Sequence, residues 1–151
     1  MTRPNMGSGG GGGNSYSPSS SQKNGGGEGG GLIMIDGGEE IVLGNAKLLA
    51  TGKQGWPVAG TSLYNWWRTS NPQDGSGGSG SGGGILLSAA NGKSTINLNG
   101  ANRALVGGGP CGCDNGWRSR AQMGGAGGQG RIAAVAGKIS GSAANMKVVQ
   151  P

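Results

Sequence analysis

The chain has 151 residues, of which 39 are Gly, while Leu, Ile and Val together number 22 and Phe is absent. So few large apolar side chains argue against the packed core of a standard globular enzyme. The sequence contains no His, which excludes Ser-His-Asp and Cys-His catalysis and His-ligated zinc. The net charge of +6 comes from 12 basic and 6 acidic residues, a mild excess that does not indicate nucleic acid as a partner.

The N-terminal sequence and the apolar runs bear on location. No apolar run approaches the roughly 18 residues that a membrane-spanning helix needs. Residues 1–7 include no apolar stretch of the kind that a signal peptide carries. We therefore predict no membrane span and no signal peptide in this chain.

Glycine clusters recur along the chain and precede short aliphatic runs. Each run is followed by a turn signal and then by a second, alternating run, so the pattern is Gly tract, strand, turn and strand. The glycines before the runs, Gly31, Gly84 and Gly130, are 53 and 46 residues apart. The three sets are residues 29–31 with 32–35 and 41–43, residues 82–84 with 85–87 and 95–98, and residues 128–130 with 131–135 and 139.

This pattern predicts an all-β or irregular fold, in which short β-hairpins and extended Gly tracts stack as a solenoid or a layered sandwich. We expect few or no helices, with one short helical turn near residues 61–68 as the exception. We expect an N-terminal Gly/Ser-rich arm at 1–24 and a single repeat domain at 25–151, with units at about 25–53, 77–109 and 124–151. The predicted thin core comprises Ile33, Ile35, Leu43, Leu86, Ile96, Leu98, Ile132 and Val135.

The Gly tracts themselves allow two interpretations. Gly loses more backbone entropy on ordering than any other residue, which favours flexible linkers. Chains without side chains can also pack backbone to backbone and exchange hydrogen bonds in several directions, which favours ordered tracts. A collagen helix is excluded because no strict Gly-X-Y period holds.

Two insertions, at residues 54–74 and 111–123, hold all four Trp residues of the chain. Large aromatics in loops either cover a thin core and contact a neighbouring subunit, or form a platform for a receptor or glycan. The candidate contact or binding residues are Trp56, Tyr64, Trp66, Trp67, Arg68, Trp117, Arg118 and Arg120.

The two cysteines, Cys111 and Cys113, are separated by a single Gly. A disulfide across one residue would be strained, and a two-Cys metal site would need further ligands. Intermolecular disulfides and free thiols remain open interpretations. No spacing of acidic residues indicates a catalytic pair, and no Gly tract ends in the Lys-Ser/Thr of a phosphate loop. We therefore predict no catalytic residue, no metal site and no cofactor.

Residues 82–100 and 124–136 resemble the glycine-rich repeat of bacterial surface proteins, which couples a Gly tract to a short β-hairpin. The segment Gly130-Arg131-Ile132-Ala133 is similar to the end of that repeat. The Gly tracts also resemble those of phage tail-fibre tips and adhesins. In those proteins polyglycine II helices pack into a sandwich, and the resemblance implies loops that bind a host receptor.

The sequence therefore predicts a non-enzymatic, self-assembling structural subunit, in a phage virion (tail fibre or capsid surface) or in an extracellular filament. The resemblance implies a location in a virion, at the cell surface or outside the cell. Its partners would be further copies of itself or other subunits. The second hypothesis is an adhesin tip that binds a receptor or glycan through the Trp and Arg loops. The third is a Gly-rich RNA-binding segment, which the absence of Arg-Gly-Gly triplets disfavours.

Overall fold

The computed structural model describes residues 5–12, 25–55, 77–89, 93–101, 103–110 and 124–147. These ranges are rich in β-strands and contain no α-helix; their helical structure is a single 3-10 turn at Ala143–Asn145. They also contain no helix that is long and apolar enough to span a membrane. The all-β class predicted from the sequence is therefore confirmed for this part of the chain.

The described residues form nine short strands, and each run of strands follows a Gly tract. Residues 25–31 lead into the first three strands, 77–83 into the next three, and 124–130 into the last three. The strands are β1 Leu32–Gly37, β2 Glu40–Val42, β3 Lys47–Leu49, β4 Gly84–Ala89, β5 Thr95–Asn97, β6 Arg103–Leu105, β7 Arg131–Val135, β8 Lys138–Ser140 and β9 Met146–Lys147.

The strands form three open, parallel sheets, with the orders β1-β4-β7, β2-β5-β8 and β3-β6-β9. The predicted hairpins are therefore wrong, because β1 and β2 lie in different sheets and each pairs with a strand far away in sequence. A hairpin would match the six residues of β1 with only three in β2, whereas β4 offers six parallel partners. This longer ladder satisfies more backbone groups.

The pairing register also corrects the alignment of the Gly tracts. Leu32 and Arg131 both pair with Gly84, so Gly84 belongs to a strand and Gly83 is the residue that matches Gly31 and Gly130. The backbone N–H of Gly84 donates to the carbonyl oxygen of Gly31, at 3.0 Å. The matching glycines Gly31, Gly83 and Gly130 are therefore 52 and 47 residues apart, instead of the 53 and 46 expected from the sequence.

One apolar cluster takes side chains from all three sheets, which therefore enclose a common interior. Its largest fully buried members come from the middle set of strands and the residue after it: Ile85, Leu87, Ile96 and Val106. Three residues of the predicted core, Leu43, Ile96 and Leu98, are buried, and Ile33, Ile35 and Ile132 pack against the cluster.

Two residues of the predicted core, Leu86 and Val135, lie outside this cluster. Successive residues in a strand point to opposite faces, so burial of Ile85 and Leu87 places Leu86 on the other face of its sheet. Val135 alternates in the same way with Ala134. The aliphatic run in β4 was apolar on both faces, and the sequence did not indicate which face would be buried.

Candidate functional site

The sequence-predicted site residues all lie outside the residues that the structure describes, and so does the expected helical turn at 61–68. This set comprises Trp56, Tyr64, Trp66, Trp67, Arg68, Cys111, Cys113, Trp117, Arg118 and Arg120. The described residues instead define two features with functional potential. One is a bundle of Gly tracts, and the other is the set of open strand edges.

Residues 77–83, the central tract, donate backbone hydrogen bonds in a three-residue cycle. Successive N–H groups reach the 5–12 tract, the 124–130 tract and the 50–55 tract in turn, at 2.7–3.0 Å. An extended chain with three residues per turn produces this cycle. The donor and acceptor pairs are Gly78 with Gly11, Ser79 with Gly125, Gly80 with Lys53, Ser81 with Ser8, Gly82 with Gly128 and Gly83 with Ala50.

The carbonyl oxygens of the central tract accept bonds from two further tracts. Gly27 and Gly30 donate to Gly78 and Ser81, and Gly109 donates to Gly80, at 2.8–2.9 Å. The central tract is therefore bonded to five other segments of backbone: 5–12, 25–31, 50–55, 106–110 and 124–130. The Gly tracts in the described ranges are ordered by hydrogen bonds in several directions, as one of the two interpretations of the sequence expected.

Close packing explains why Gly fills this tract. A Cβ at Gly80 would overlap the carbonyl group of Glu28, and one at Gly82 would overlap the carbonyl group of Val106. Backbone atoms on both sides leave no flexible group that could move aside. Gly is required here by the approach of neighbouring chains rather than by an unusual backbone conformation.

One direction around the central tract is open. A Cβ at Gly78 would lie 3.5 Å from the nitrogen of Gly11, an ordinary contact. Three residues later the Ser81 side chain points the same way, and its Oγ accepts a bond from the Ser8 N–H at 2.7 Å. Among the described residues, no hydrogen bond reaches the carbonyl oxygens of Ser79 and Gly82.

This opening continues as a groove of about 350 Å³ beside the start of the sheets. The Ser81 Cβ points in the direction in which a sixth tract would lie. Because no described segment fills that position, the central tract tolerates a side chain there. The groove is open to solvent. It is lined by Asn5, Met6, Ser81, Gly82, Gly83, Gln129, Gly130 and Arg131.

Several described segments end at the side of the bundle that lies away from the sheets. A Cβ at Gly77 would overlap the carbonyl oxygen of Gly25, and Cβ atoms at Gly55 and Gly124 would overlap that of Gly77. The chain stretches 13–24, 56–76 and 111–123 each begin and end at described residues of this end. The two stretches that contain the Trp residues are therefore attached side by side.

Ser79 connects two of these segment ends. Its Oγ accepts a bond from the backbone N–H of Gly55 at 3.0 Å and donates to the carbonyl oxygen of Pro110. Ser79 is 7% exposed, so this small network is shielded from water. Neither Ser79 nor Ser81 was among the residues predicted from the sequence. The sequence did carry a signal for them, because Ser79 and Ser81 are the two residues of the 77–83 tract that are not Gly.

The open strand edges are the second feature. Within the described residues β1, β2 and β3 pair on one side only, and so do β7, β8 and β9 on the opposite side of the stack. We call the first set the leading edge and the second set the trailing edge. Unpaired N–H and C=O groups on such edges are templates for pairing with another chain.

Charged groups of the described residues lie mainly on the surface. Lys53 Nζ and a Glu28 carboxylate oxygen form an ion pair at 2.6 Å, with both side chains more than two thirds exposed. The hydrogen bond and the charge of Lys53 lower the pKa of the Glu28 carboxyl. An exposed pair of this kind contributes little to stability. No group of three or more metal-ligating side chains occurs within the described ranges.

Comparison of the chain with known protein families, with curated proteins and with solved structures gives no match.

Proposed function

We propose that this chain is a non-enzymatic structural subunit of a larger assembly. The observation that carries the proposal is the combination of a backbone-bonded Gly bundle with three open sheets in a common register. In this proposal the three sets of strands are successive turns of a short β-solenoid, and the Gly tracts are polyglycine II helices that continue each turn.

The energetics of the described part support a structural role. The core consists of ten buried apolar residues, three of which are Ala. A core of this size gives little free energy against the entropy of ordering so many glycines. Burial of the open edges in an assembly supplies further stabilisation. The bundle itself gives stiffness, because its contacts are backbone to backbone and involve few rotatable groups.

The resemblance to phage tail-fibre tips and bacterial surface proteins supports a location in a virion, on a tail fibre or the capsid surface, or in an extracellular filament. The test is immunogold electron microscopy of the source culture with antibodies raised against the purified chain. We expect gold on particles or on filaments outside cells. Label confined to the cell interior, with particles and filaments unlabelled, would contradict the proposal.

A second candidate function is recognition of a receptor or glycan, and one observation favours it. The described residues that flank the stretches 56–76 and 111–123 lie together at one end of the bundle, and these two stretches hold all four Trp residues of the chain. Trp and Arg are frequent among residues that dominate binding energy. In this proposal the Gly bundle is the rigid support of a recognition tip.

Binding of the fluorescently labelled protein to intact host cells tests the second candidate. We expect the double variant Trp66→Ala/Trp67→Ala, and separately Trp117→Ala, to lower cell binding at least tenfold. The control is Leu49→Ala, which truncates an exposed apolar residue in β3 and leaves both Trp stretches unchanged. Equal binding by all variants, or no binding by the wild type, would remove the recognition hypothesis and leave the structural one intact.

A further inference from the structure

The leading and trailing edges match each other in register. Strand pairing places Ile33, Ile85 and Ile132 in one row across the first sheet, and Ile41, Ile96 and Ile139 in one row across the second. Continuing the same register beyond β7 and β8 would place Ile33 and Ile41 of another copy beside Ile132 and Ile139. The apolar rows of the interior would then run on without interruption.

The burial of these rows shows what an added copy would cover. In the middle of the stack Ile85 and Ile96 are 0% exposed, whereas Ile139 at the trailing edge is 48% exposed. Ile33 and Ile132 are only partly buried. An edge that continued the stack would give these terminal residues the surroundings that the middle residues already have.

Charge also matches between the two edges. Glu40, Thr95 and Lys138 pair in one row across the second sheet, so opposite charges lie at its two ends. Within one copy they are two strand spacings apart, roughly 9.5 Å. In a continued stack Glu40 of the next copy would lie one spacing, about 4.8 Å, from Lys138. Opposite charges on directly adjacent strands stabilise pairing.

We propose that copies of this chain stack end to end, with β1, β2 and β3 of one copy pairing in parallel with β7, β8 and β9 of the next. The occupant of each edge is a second copy of the same chain. The contact is head to tail, so it does not close on itself and generates a linear array. This inference rests on the proposed structural function and names the surface through which that function operates.

Disulfide trapping tests the register directly. Val42 and Ser140 lie in one row with Asn97 between them, so within one copy they are too far apart for a disulfide. In the stack Val42 of the next copy is adjacent to Ser140. We expect the Val42→Cys/Ser140→Cys variant, made in a Cys111→Ser/Cys113→Ser background, to form a ladder of cross-linked oligomers on oxidation.

Two single variants in that background, Val42→Cys and Ser140→Cys, are the controls, and neither forms more than a cross-linked dimer. A folded double variant, with the circular dichroism of the wild type, that gives no ladder would overturn the proposed stacking. If light scattering then still shows oligomers, the chain assembles through another surface, and the proposed structural function stands. If the chain is monomeric, only the stacking is lost, because immunogold labelling judges the function separately.

Charge reversal supplies an independent readout by sedimentation at 0.15 M salt. We expect Lys138→Glu to weaken self-association about fivefold, and Glu40→Lys/Lys138→Glu to restore it, since the pair is reversed but complementary. Lys93→Glu makes the same charge change in an exposed turn next to the middle strands and leaves association unchanged. Equal weakening by Lys93→Glu and Lys138→Glu, without rescue in the double variant, would contradict the predicted contact.

Discussion

The Gly bundle and the strand-bounded core are both ordered, but different interactions stabilise them. In the core, stability comes from apolar side chains such as Ile85 and Leu87, which the sheets remove from water completely. In the bundle most residues are Gly, and neighbouring backbones approach closely enough for many N–H groups to donate directly to carbonyl oxygens of adjacent segments. A chain poor in apolar residues can therefore be ordered where the backbones of several segments bond to one another.

The largest expected effect is at Gly80, one of the positions in the bundle where the neighbouring backbone leaves no room for a Cβ. Gly80→Ala places a methyl group on the Glu28 carbonyl, and relief of that overlap separates Gly80 from Lys53 and Gly109. We expect a loss of about 3–5 kcal/mol in unfolding free energy, from overpacking strain and two lost backbone hydrogen bonds. Chemical denaturation followed by circular dichroism measures the loss.

The matched control for this variant is Gly78→Ala, the same change two residues earlier in the same tract. The added Cβ meets Gly11 at 3.5 Å, and the φ of Gly78 is not in the left-handed region. We expect no loss, or a gain of about 0.4–1 kcal/mol from the stiffer unfolded chain. Equal destabilisation at both positions would show that the tract fails for reasons other than packing against its neighbours.

A substitution in the apolar core should lower the unfolding free energy almost as much as Gly80→Ala. Leu87→Ala removes a side chain that is 0% exposed and leaves a cavity between the sheets. We expect a loss of about 3 kcal/mol in unfolding free energy. Leu86→Ala, on the opposite face of the same strand, should cost less than half as much. The same denaturation experiment measures both losses. Equal losses would contradict the burial of Leu87 on one face of β4 and the greater exposure of Leu86 on the other.

An intermediate effect is expected where a side chain enters the bundle. Ser79→Ala leaves the N–H of Gly55 and the carbonyl oxygen of Pro110 without their buried partner. We expect a loss of about 2 kcal/mol, within the range for an unsatisfied buried group. Ser81→Ala also removes a bond, to Ser8, but at an exposed position where water replaces it. A cost at Ser81 as large as at Ser79 would argue against shielding as the cause.

The smallest effect concerns the ion pair between Glu28 and Lys53. The folded-state pKa of Glu28 is lowered, so any contribution of the pair is present above the unfolded-state pKa and is lost as pH falls through the folded-state pKa. Because both side chains are exposed, we expect Glu28→Gln to change the thermal midpoint at pH 7 by no more than the measurement error. A clear decrease at pH 7 that disappears at pH 3 would show that the pair matters.

The sequence by itself determined that the described part is all-β, and it located the strands after the Gly tracts. Those features are local: β-branched runs, turn residues and Gly clusters act over a few positions. It also indicated ordered tracts as one alternative, because side-chain-free backbone can bond in several directions. The Trp loops and the cysteines stay predictions, since they lie outside the described residues.

Only the tertiary structure decided how strands and tracts pair. Strands that are neighbours in sequence, β1 and β2, were expected to form a hairpin, but each pairs with strands far along the chain. Local sequence cannot specify these distant parallel pairs, since they depend on how many backbone groups and apolar rows the whole stack satisfies. The same holds for Ser81: only the neighbours of the central tract show that its side chain has room, while Gly80 has none.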